Sequence, residues 1–219
     1  SMINNFDMRV DLHPDQYCVL NSVKENVILS SINILKFQQT ILNLMNVSNP
    51  KIILHVGSSA HGKKQSITRF INTFNLLDND LKKMIIIEND DKVFNIRNTL
   101  SLCEKLDIPM VLDYHHHLCN NNGEKIENFI ERIFNTWNKD NLVPKIHFSS
   151  SKSKKELRAH NDYITADDFI NFIDRIKFLN RDFDIMLEAK MKDMALFKLI
   201  RELKYKTDYK FIDETTFLI

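Results

Sequence analysis

The residues best suited to chemistry form one short stretch, Asp-Tyr-His-His-His, which runs from Asp113 to His117. It follows an apolar run, Pro109 to Leu112, whose length predicts a buried strand. A buried strand has no need to end in a carboxylate and three imidazoles. Both groups ligate metals, so the stretch indicates a metal site, with a surface histidine cluster as the alternative.

Short apolar runs alternate along the chain with longer segments of helical period. Strands are predicted over residues 8–13, 51–56, 84–88, 109–113, 144–149 and 183–190. Helices are predicted over residues 21–46, 64–77, 93–106, 124–137, 166–178 and 194–204, followed by a short tail. Strands that are each followed by a helix pair in parallel through crossovers, which predicts an α/β fold. The pattern leaves open a doubly wound sheet and a barrel.

Every predicted strand has a histidine or an acidic residue at or near its carboxyl end. These residues are His13, His55, Glu88, Asp113 with His115 and His116, His147 and Glu188. In a βα array the carboxyl ends of the strands converge on one face. Histidine and carboxylate suit Zn, Mn, Fe or Co, and no cysteine takes part. The pattern therefore predicts a polynuclear metal site rather than a set of core histidines, and His160 on a later loop could reach the same face.

Two loops carry groups that suit phosphate. The sequence from Gly57 to Lys64 has the frame of a P-loop, but Lys64 stands where a P-loop needs a hydroxyl for Mg²⁺. A nucleotide-binding site is therefore not favoured, although Lys63 and Lys64 could still contact a nucleic-acid backbone. Ser149 and Lys152 follow the fifth strand and suit the same contact, with a solvated loop as the alternative.

The composition is that of an ordinary globular chain. Of its 219 residues 43% are hydrophobic and 27% charged, and no apolar run is long enough to predict a membrane span. The net charge of +1 gives no evidence of its own for nucleic acid. Three cysteines without a Cys-x-x-Cys pair argue against a disulfide framework and favour a reducing, intracellular setting.

Taken in order, the motifs at the strand ends resemble those of the UV-damage endonucleases. The match covers residues 9 to about 200 and rests on these segments: His13-Pro-Asp-Gln-Tyr17, His55-Val-Gly57, Glu88-Asn-Asp-Asp91, Asp113-Tyr-His-His116, Lys145-Ile-His-Phe-Ser149, His160-Asn-Asp-Tyr163 and Leu187-Glu-Ala-Lys190. The resemblance implies a TIM barrel and a DNA-repair enzyme acting on damaged double-stranded DNA. It implies a nick immediately 5′ of a UV photoproduct or an abasic site.

The resemblance also implies roles for individual residues. The implied metal ligands are His13, His55, Glu88, Asp113, His116, His147, His160 and Glu188. They would hold up to three divalent ions, with manganese typical and zinc, cobalt or magnesium as alternatives. The implied catalytic residues are Glu88, Asp113, Glu188 and Lys145, of which the lysine can become carboxylated. Gln16 and Tyr17 match the pair that wedges into the duplex at the lesion. His115 is expected to support the ligands, and His117 has no assigned role.

The sequence departs from the family pattern in its extent. Its first strand corresponds to the third of eight, so we expect residues 1–219 to form a single, partial barrel domain of about six strands. Such a piece leaves two sheet edges open, which allows a homo-oligomer. Two other functions stay open: a metal-dependent sugar isomerase or epimerase on a similar barrel, and a non-catalytic remnant that binds DNA or a partner.

Overall fold

The protein folds around one parallel sheet. The structure, a computed structural model, describes residues 2–6 and 8–219. Six strands lie in the order β1-β2-β3-β4-β5-β6, and every neighbouring pair is parallel. They are β1 (Asp11–Leu12), β2 (Lys51–His55), β3 (Ile85–Glu88), β4 (Met110–Asp113), β5 (Lys145–Phe148) and β6 (Asp184–Leu187).

Helices connect the strands. They are α1 (Met2–Asn5), α2 (Glu25–Leu44), α3 (Lys63–Leu76), α4 (Asn79–Met84), α5 (Ile96–Leu106), α6 (Tyr114–Cys119), α7 (Ile130–Asn135), α8 (Ala166–Ile176) and α9 (Lys192–Lys206). Short 3₁₀ segments precede α7 and follow α8, and an antiparallel hairpin of β7 (Lys210–Phe211) and β8 (Phe217–Leu218) comes last. None of the helices within the described residues has the length and apolar character that crossing a membrane requires.

The strand order decides between the two predicted α/β architectures. A doubly wound sheet places its first strand inside the sheet and reverses direction at a switch point. Here every strand pairs with the next one along the chain, as in a barrel. The predicted six-stranded, TIM-barrel-like array is confirmed as a curled half-barrel.

Some predicted boundaries were wrong for local reasons. Residues 8–13 form only the two-residue strand β1, and the helix predicted over 124–137 is divided into a 3₁₀ segment and α7. The sequence reading missed α4 and α6, which are too short to show a helical period. Each starts on an aspartate side chain: Asp78 accepts from the backbone N–H of Leu81 at 2.8 Å, and Asp113 accepts from that of His116 at 2.7 Å.

Alternation along the strands separates two layers of packing. The even positions of β2, Ile52 and Leu54, belong to the large core between the sheet and the helices. The odd position, Ile53, points to the other face and packs with Ile86, Val111 and Trp137 in a small second cluster. The indole Nε1 of Trp137 donates to the Met110 carbonyl at 2.7 Å. This cluster forms an apolar floor inside the half-barrel.

Ion pairs across the concave face hold the sheet in its curl. Arg9, just before β1, donates to Asp184 on β6 at 2.8 Å, although these strands lie at opposite ends of the sheet. Beside it the Lys145 ammonium on β5 contacts the Asp11 carboxylate on β1, and both side chains are almost fully buried. Contacts of this kind can form only because the sheet curves far enough to bring its two ends together.

The apolar floor should carry a large share of the stability. We expect Trp137→Ala to lower the free energy of unfolding by about 3–5 kcal/mol, because it removes a fully buried indole and leaves a cavity. Urea denaturation of the purified protein measures this loss. The matched control is Phe178→Ala, at a residue that is 60% exposed, which should change stability by less than about 0.5 kcal/mol. Equal losses in both variants would contradict the assignment.

Candidate metal centre

The candidate ligands stand two residues beyond the apolar floor. His55, Glu88 and Asp113 follow Ile53, Ile86 and Val111 on the same strands, so they face the same side of the sheet one layer higher. Asp113 ends β4 and caps α6, which sets His116 one turn further on the same side as the carboxylate. The two-residue period of the strands thus places the candidate ligands directly above the apolar floor.

Glu88 is the centre of this layer. Its carboxylate is fully buried, and imidazole nitrogens approach it from three directions. His13 Nε2 lies 3.1 Å from Oε2, His147 Nδ1 lies 3.3 Å from the same oxygen, and His116 Nδ1 lies 3.2 Å from Oε1. One carboxylate therefore joins residues from β3, β5, α6 and the end of β1.

Glu188 plays the same part at the β6 side. Its Oε1 lies 3.2 Å from His147 Nδ1, and its Oε2 lies 3.7 Å from His160 Nδ1. His147 consequently stands between two carboxylates, Glu88 and Glu188. The structure thus brings all eight predicted ligands to one rim of the half-barrel, as the convergence of strand ends predicts.

Three groups of donors are compact enough to hold a metal ion. Within each group the ligating atoms all lie within 4.8 Å of one another. The groups are His13 with His55 and Glu88, Glu88 with Asp113 and His116, and Asp113 with His147 and Glu188. Neighbouring groups share Glu88 or Asp113, so these two carboxylates belong to more than one candidate site.

The hydrogen bonding of these residues fits a divalent cation. Among the described residues, buried atoms without a hydrogen-bond partner include Glu88 Oε1, Asp113 Oδ2 and both ring nitrogens of His147. Imidazole nitrogens and carboxylate oxygens in this layer lie within 3.3 Å of each other, but several of these pairs are not aligned as hydrogen bonds. Buried polar atoms that approach each other without pairing are costly, and a shared cation would satisfy them.

The pKa values in the ligand layer also show that its buried carboxylates need positive charge nearby. Burial, followed by the negative charge of Glu88, raises the pKa of Asp113 well above its usual value. Burial opposes protonation of His116 and His147, but the adjacent carboxylates outweigh it and raise the pKa of each imidazole to about 10. Protons on these histidines balance the buried carboxylates, and a metal ion would replace them.

Other residues near the layer hold supporting positions. Lys145, two residues before His147, reaches down to Asp11 rather than up to the ligands. His115 is fully buried with its ring edge-on to His160 at 5.0 Å between centroids. His117 is buried beside Tyr114, away from the rim.

The residues predicted to contact DNA differ in exposure. Gln16 and Tyr17 project from the loop after β1, with Tyr17 74% exposed. Lys63 and Lys64 are exposed at the start of α3, and Lys63 donates to Asn98 at 3.0 Å.

The two predicted DNA contacts in and near the loop after β5 differ in exposure. Lys152 is exposed and pairs with Glu156 at 2.9 Å. Ser149 is buried, and its hydroxyl lies 3.4 Å from the Ser150 carbonyl. Ser149 is therefore not accessible for a contact with DNA in this structure.

Sequence reasoning missed two supporting residues. Asp11, which pairs with Lys145, occupies the inward position two residues before His13, and that spacing was available as a signal. Asn89 directly follows Glu88 and bonds the backbone of Asp113. Nothing in the sequence distinguishes its amide from that of a loop asparagine.

The half-barrel and its rim of histidines and carboxylates define a class of βα-barrel proteins with a candidate polynuclear metal centre. The family model described as UV-endonuclease UvdE matches residues 1–216. The chain therefore belongs to the UvdE family of UV-endonucleases, as the motifs indicated.

Individual relatives agree with this membership. The UV DNA damage endonuclease of Bacillus cereus strain 03BB102 is 37% identical over 217 residues, which are 99% of this chain and 68% of the relative. The crystal structure of SacUVDE matches with a TM-score of 0.84 and 36% identity, over 93% of this chain and 68% of that one. Endonuclease IV from Thermus thermophilus, at 14% identity and a TM-score of 0.60 over 92% of this chain and 77% of its own, shares the fold.

Metal binding should release protons. Because the pKa values of His116 and His147 are raised to about 10, both imidazoles are protonated at pH 7 and must lose a proton to become ligands. We expect the calorimetric enthalpy of Mn²⁺ binding at pH 7 to vary with the ionisation enthalpy of the buffer, in the sense of proton release. Affinity should rise from pH 6 to pH 8, since fewer protons then compete. An enthalpy that is the same in every buffer would contradict this interpretation.

Proposed function

We propose that this chain is a metal-dependent DNA-repair endonuclease that nicks the phosphodiester backbone 5′ of UV photoproducts or abasic sites. The observation that carries the proposal is the buried Glu88 carboxylate, on which histidines from three separate segments converge. Membership of the UvdE family supports the substrate, since the relatives are named as UV DNA damage endonucleases.

The donor set suits divalent ions of intermediate hardness. Imidazole nitrogens together with carboxylate oxygens favour manganese, with zinc, cobalt or magnesium as alternatives, and the three groups would hold up to three ions. Such ions, when bound, supply Lewis acidity towards phosphate oxygens and make water a better nucleophile. The ligands proposed are His13, His55, Glu88, Asp113, His116, His147, His160 and Glu188.

Burial makes the Cys18 and Cys103 thiols and the Ser149 hydroxyl poor candidates to attack phosphorus. Burial raises the pKa of Cys18 to about 11, and burial also raises that of Cys103 far above its usual value. The Ser149 hydroxyl is buried. Water is the proposed nucleophile, and the reaction is hydrolysis. Glu88, Asp113 and Glu188 would hold negative charge in fixed positions, so little rearrangement is needed as the transition state forms.

Lys145 stays a prediction as a catalytic residue. A carboxylated lysine would carry negative charge, whereas the amine of Lys145 contacts the negative Asp11. Burial lowers the pKa of Lys145, which favours the neutral amine that carboxylation requires. Modification would nevertheless require the contact with Asp11 to open, because two carboxylates repel each other.

Damaged DNA would lie across the rim beside the exposed loops. Gln16 and Tyr17 are the proposed wedge, since an aromatic ring can fill the gap left when damaged bases leave the stack. Lys63, Lys64 and Lys152 are proposed phosphate contacts, and Ser149 would need its loop to move to join them.

Several broader expectations accompany this proposal. Residues 1–219 are proposed to act as a single, partial barrel domain. Within the described residues, β1 and β6 have no backbone pairing with each other in spite of the ion pair that links them, so these two edges allow a homo-oligomer. An intracellular location, cytoplasmic or nucleoid-associated, follows from a DNA substrate.

The sugar isomerase or epimerase alternative is not favoured. The epimerase YcjR is only 9% identical to the chain, so it shares the fold and gives no evidence for the same activity. A non-catalytic remnant would bind less than about one metal per chain.

The activity itself is the first test. With Mn²⁺ we expect the purified chain to nick a duplex carrying one thymine dimer, on the 5′ side of the lesion, as read on a denaturing gel. Glu188→Gln and His147→Ala should each lower the rate by about 100-fold or more, because each removes a group that fixes charge at the rim. Chelation with EDTA should abolish nicking, and added Mn²⁺ should restore it.

A matched carboxylate controls for nonspecific effects. Glu104→Gln makes the same chemical change on the outer surface, where Glu104 pairs with Arg132, and should leave the rate within about twofold. If the Glu188→Gln protein nicks as fast as the Glu104→Gln protein, the site assignment is wrong. If the parent chain binds metal and does not nick, the endonuclease proposal for this chain alone is wrong.

The wedge has its own signature. Tyr17→Ala should weaken binding to dimer-containing duplex by about 1–3 kcal/mol, the usual range for a lost stacking contact, while binding to undamaged duplex stays close to that of the parent. Fluorescence anisotropy at fixed salt measures both affinities. Equal weakening on both duplexes would show that Tyr17 contacts DNA without reading damage.

A further inference from the structure

The backbone N–H and C=O of Asp113, at the end of β4, need hydrogen-bond partners. Strand β3 pairs with β4 only as far as Glu88 opposite Val111. Asp113, two residues further on, is buried and lies beyond that last pair. Its backbone N–H and C=O therefore have no main-chain partner from β3 and would be costly to leave unpaired.

Asn89 supplies the missing pair with its side chain. The Asn89 amide Nδ2 donates to the Asp113 carbonyl at 2.9 Å, and Asn89 Oδ1 accepts from the Asp113 N–H at 3.0 Å. One amide thus replaces both groups of a backbone partner and extends the β3–β4 pairing past the end of β3. Asn89 is fully buried, so water does not compete for these bonds.

The same residue also contacts the first turn of α6. The backbone carbonyl of Asn89 lies 3.0 Å from His116 Nδ1, and Asp113 Oδ1 accepts from the His116 N–H at 2.7 Å. Asn89 therefore fixes Asp113 through its main chain, and fixes His116 both directly and through the cap that Asp113 provides.

We propose that Asn89 is a positioning residue of the metal centre, which holds Asp113 and His116 at ligating distance from Glu88. The proposal rests on the metal centre proposed above, and it adds a residue that positions the ligands without binding the metal itself. An amide suits this position, because it offers a donor and an acceptor side by side at any pH. Residues that orient metal ligands in this way typically change metal affinity by about 10–100-fold when removed.

The chain contains a matched control for this role. Asn21 is also fully buried, and its amide makes the same two bonds to one residue: Nδ2 donates to the Ser58 carbonyl at 2.7 Å, and Oδ1 accepts from the Ser58 N–H at 3.2 Å. Ser58 is not a candidate ligand. Replacing Asn21 or Asn89 by alanine therefore frees the same backbone groups, but only one of the two changes touches the metal centre.

The test compares stability with metal binding in the two variants. In EDTA, Asn89→Ala should lose more free energy of unfolding than Asn21→Ala, because the groups freed on Asp113 are buried whereas water can reach those of the exposed Ser58. In calorimetric titrations with Mn²⁺, Asn89→Ala should bind about 10–100-fold more weakly at the sites that include Asp113, while Asn21→Ala binds as the parent does. The group formed by His13, His55 and Glu88 should keep its affinity in both variants.

Each outcome decides a separate point. Asn89→Ala binding Mn²⁺ like the parent, or both variants weakening equally, would overturn the positioning role. A parent chain that binds no metal would overturn the proposed function instead. Should Asn89→Ala fail to fold, Asn89→Ser provides the same comparison, because a hydroxyl retains one of the two bonds and the same loss at the Asp113 sites is expected in milder form.

Discussion

The structure depends on one constraint: the carboxylate of Glu88 is fully buried, and several partners together balance its charge. Burial alone works against the charge on Glu88, yet the histidines around it hold its pKa well below the usual range. A carboxylate in that position requires positive charge from several sides at once. The histidines of β1, β5 and α6 supply it, and this need accounts for their convergence better than packing does.

The curl of the sheet is what brings those histidines within reach. His13 and His147 come from strands that are separated by three others in the sheet, and a flat sheet would hold them far apart. The pair of Asp11 with Lys145 lies one layer below them and connects the same two strands. A buried ion pair contributes little net stability against apolar residues of similar size. Its value here lies in fixing the separation of β1 and β5, and with it the distance from His13 to Glu88.

The sequence predicted the architecture well because its signals are local and repeated. Six apolar runs that each end in a candidate ligand predicted the strands, their parallel pairing and the rim where His55, Glu88 and Asp113 meet. The short helices α4 and α6 were missed because a single turn fixed by an aspartate cap has no period to detect. The bonds of Asn89 could not be read either, since they depend on where β3 stops relative to β4, and strand length is decided by tertiary packing. The burial of Ser149 was likewise decided by its loop.

The division between apolar floor and ligand rim has a consequence for how this centre tolerates change. The central strands β2, β3 and β4 each hold a floor residue at one inward position and a candidate ligand at the next, so the candidate centre depends on the phase of the strands as much as on residue type. Inserting one residue within β3 would rotate Glu88 towards the helices and bring an isoleucine to the rim. Substitutions at the rim leave the floor intact and can alter the chemistry gradually. Shifts of register exchange the two layers at once, so substitution is the route by which such a site can be altered without losing the fold.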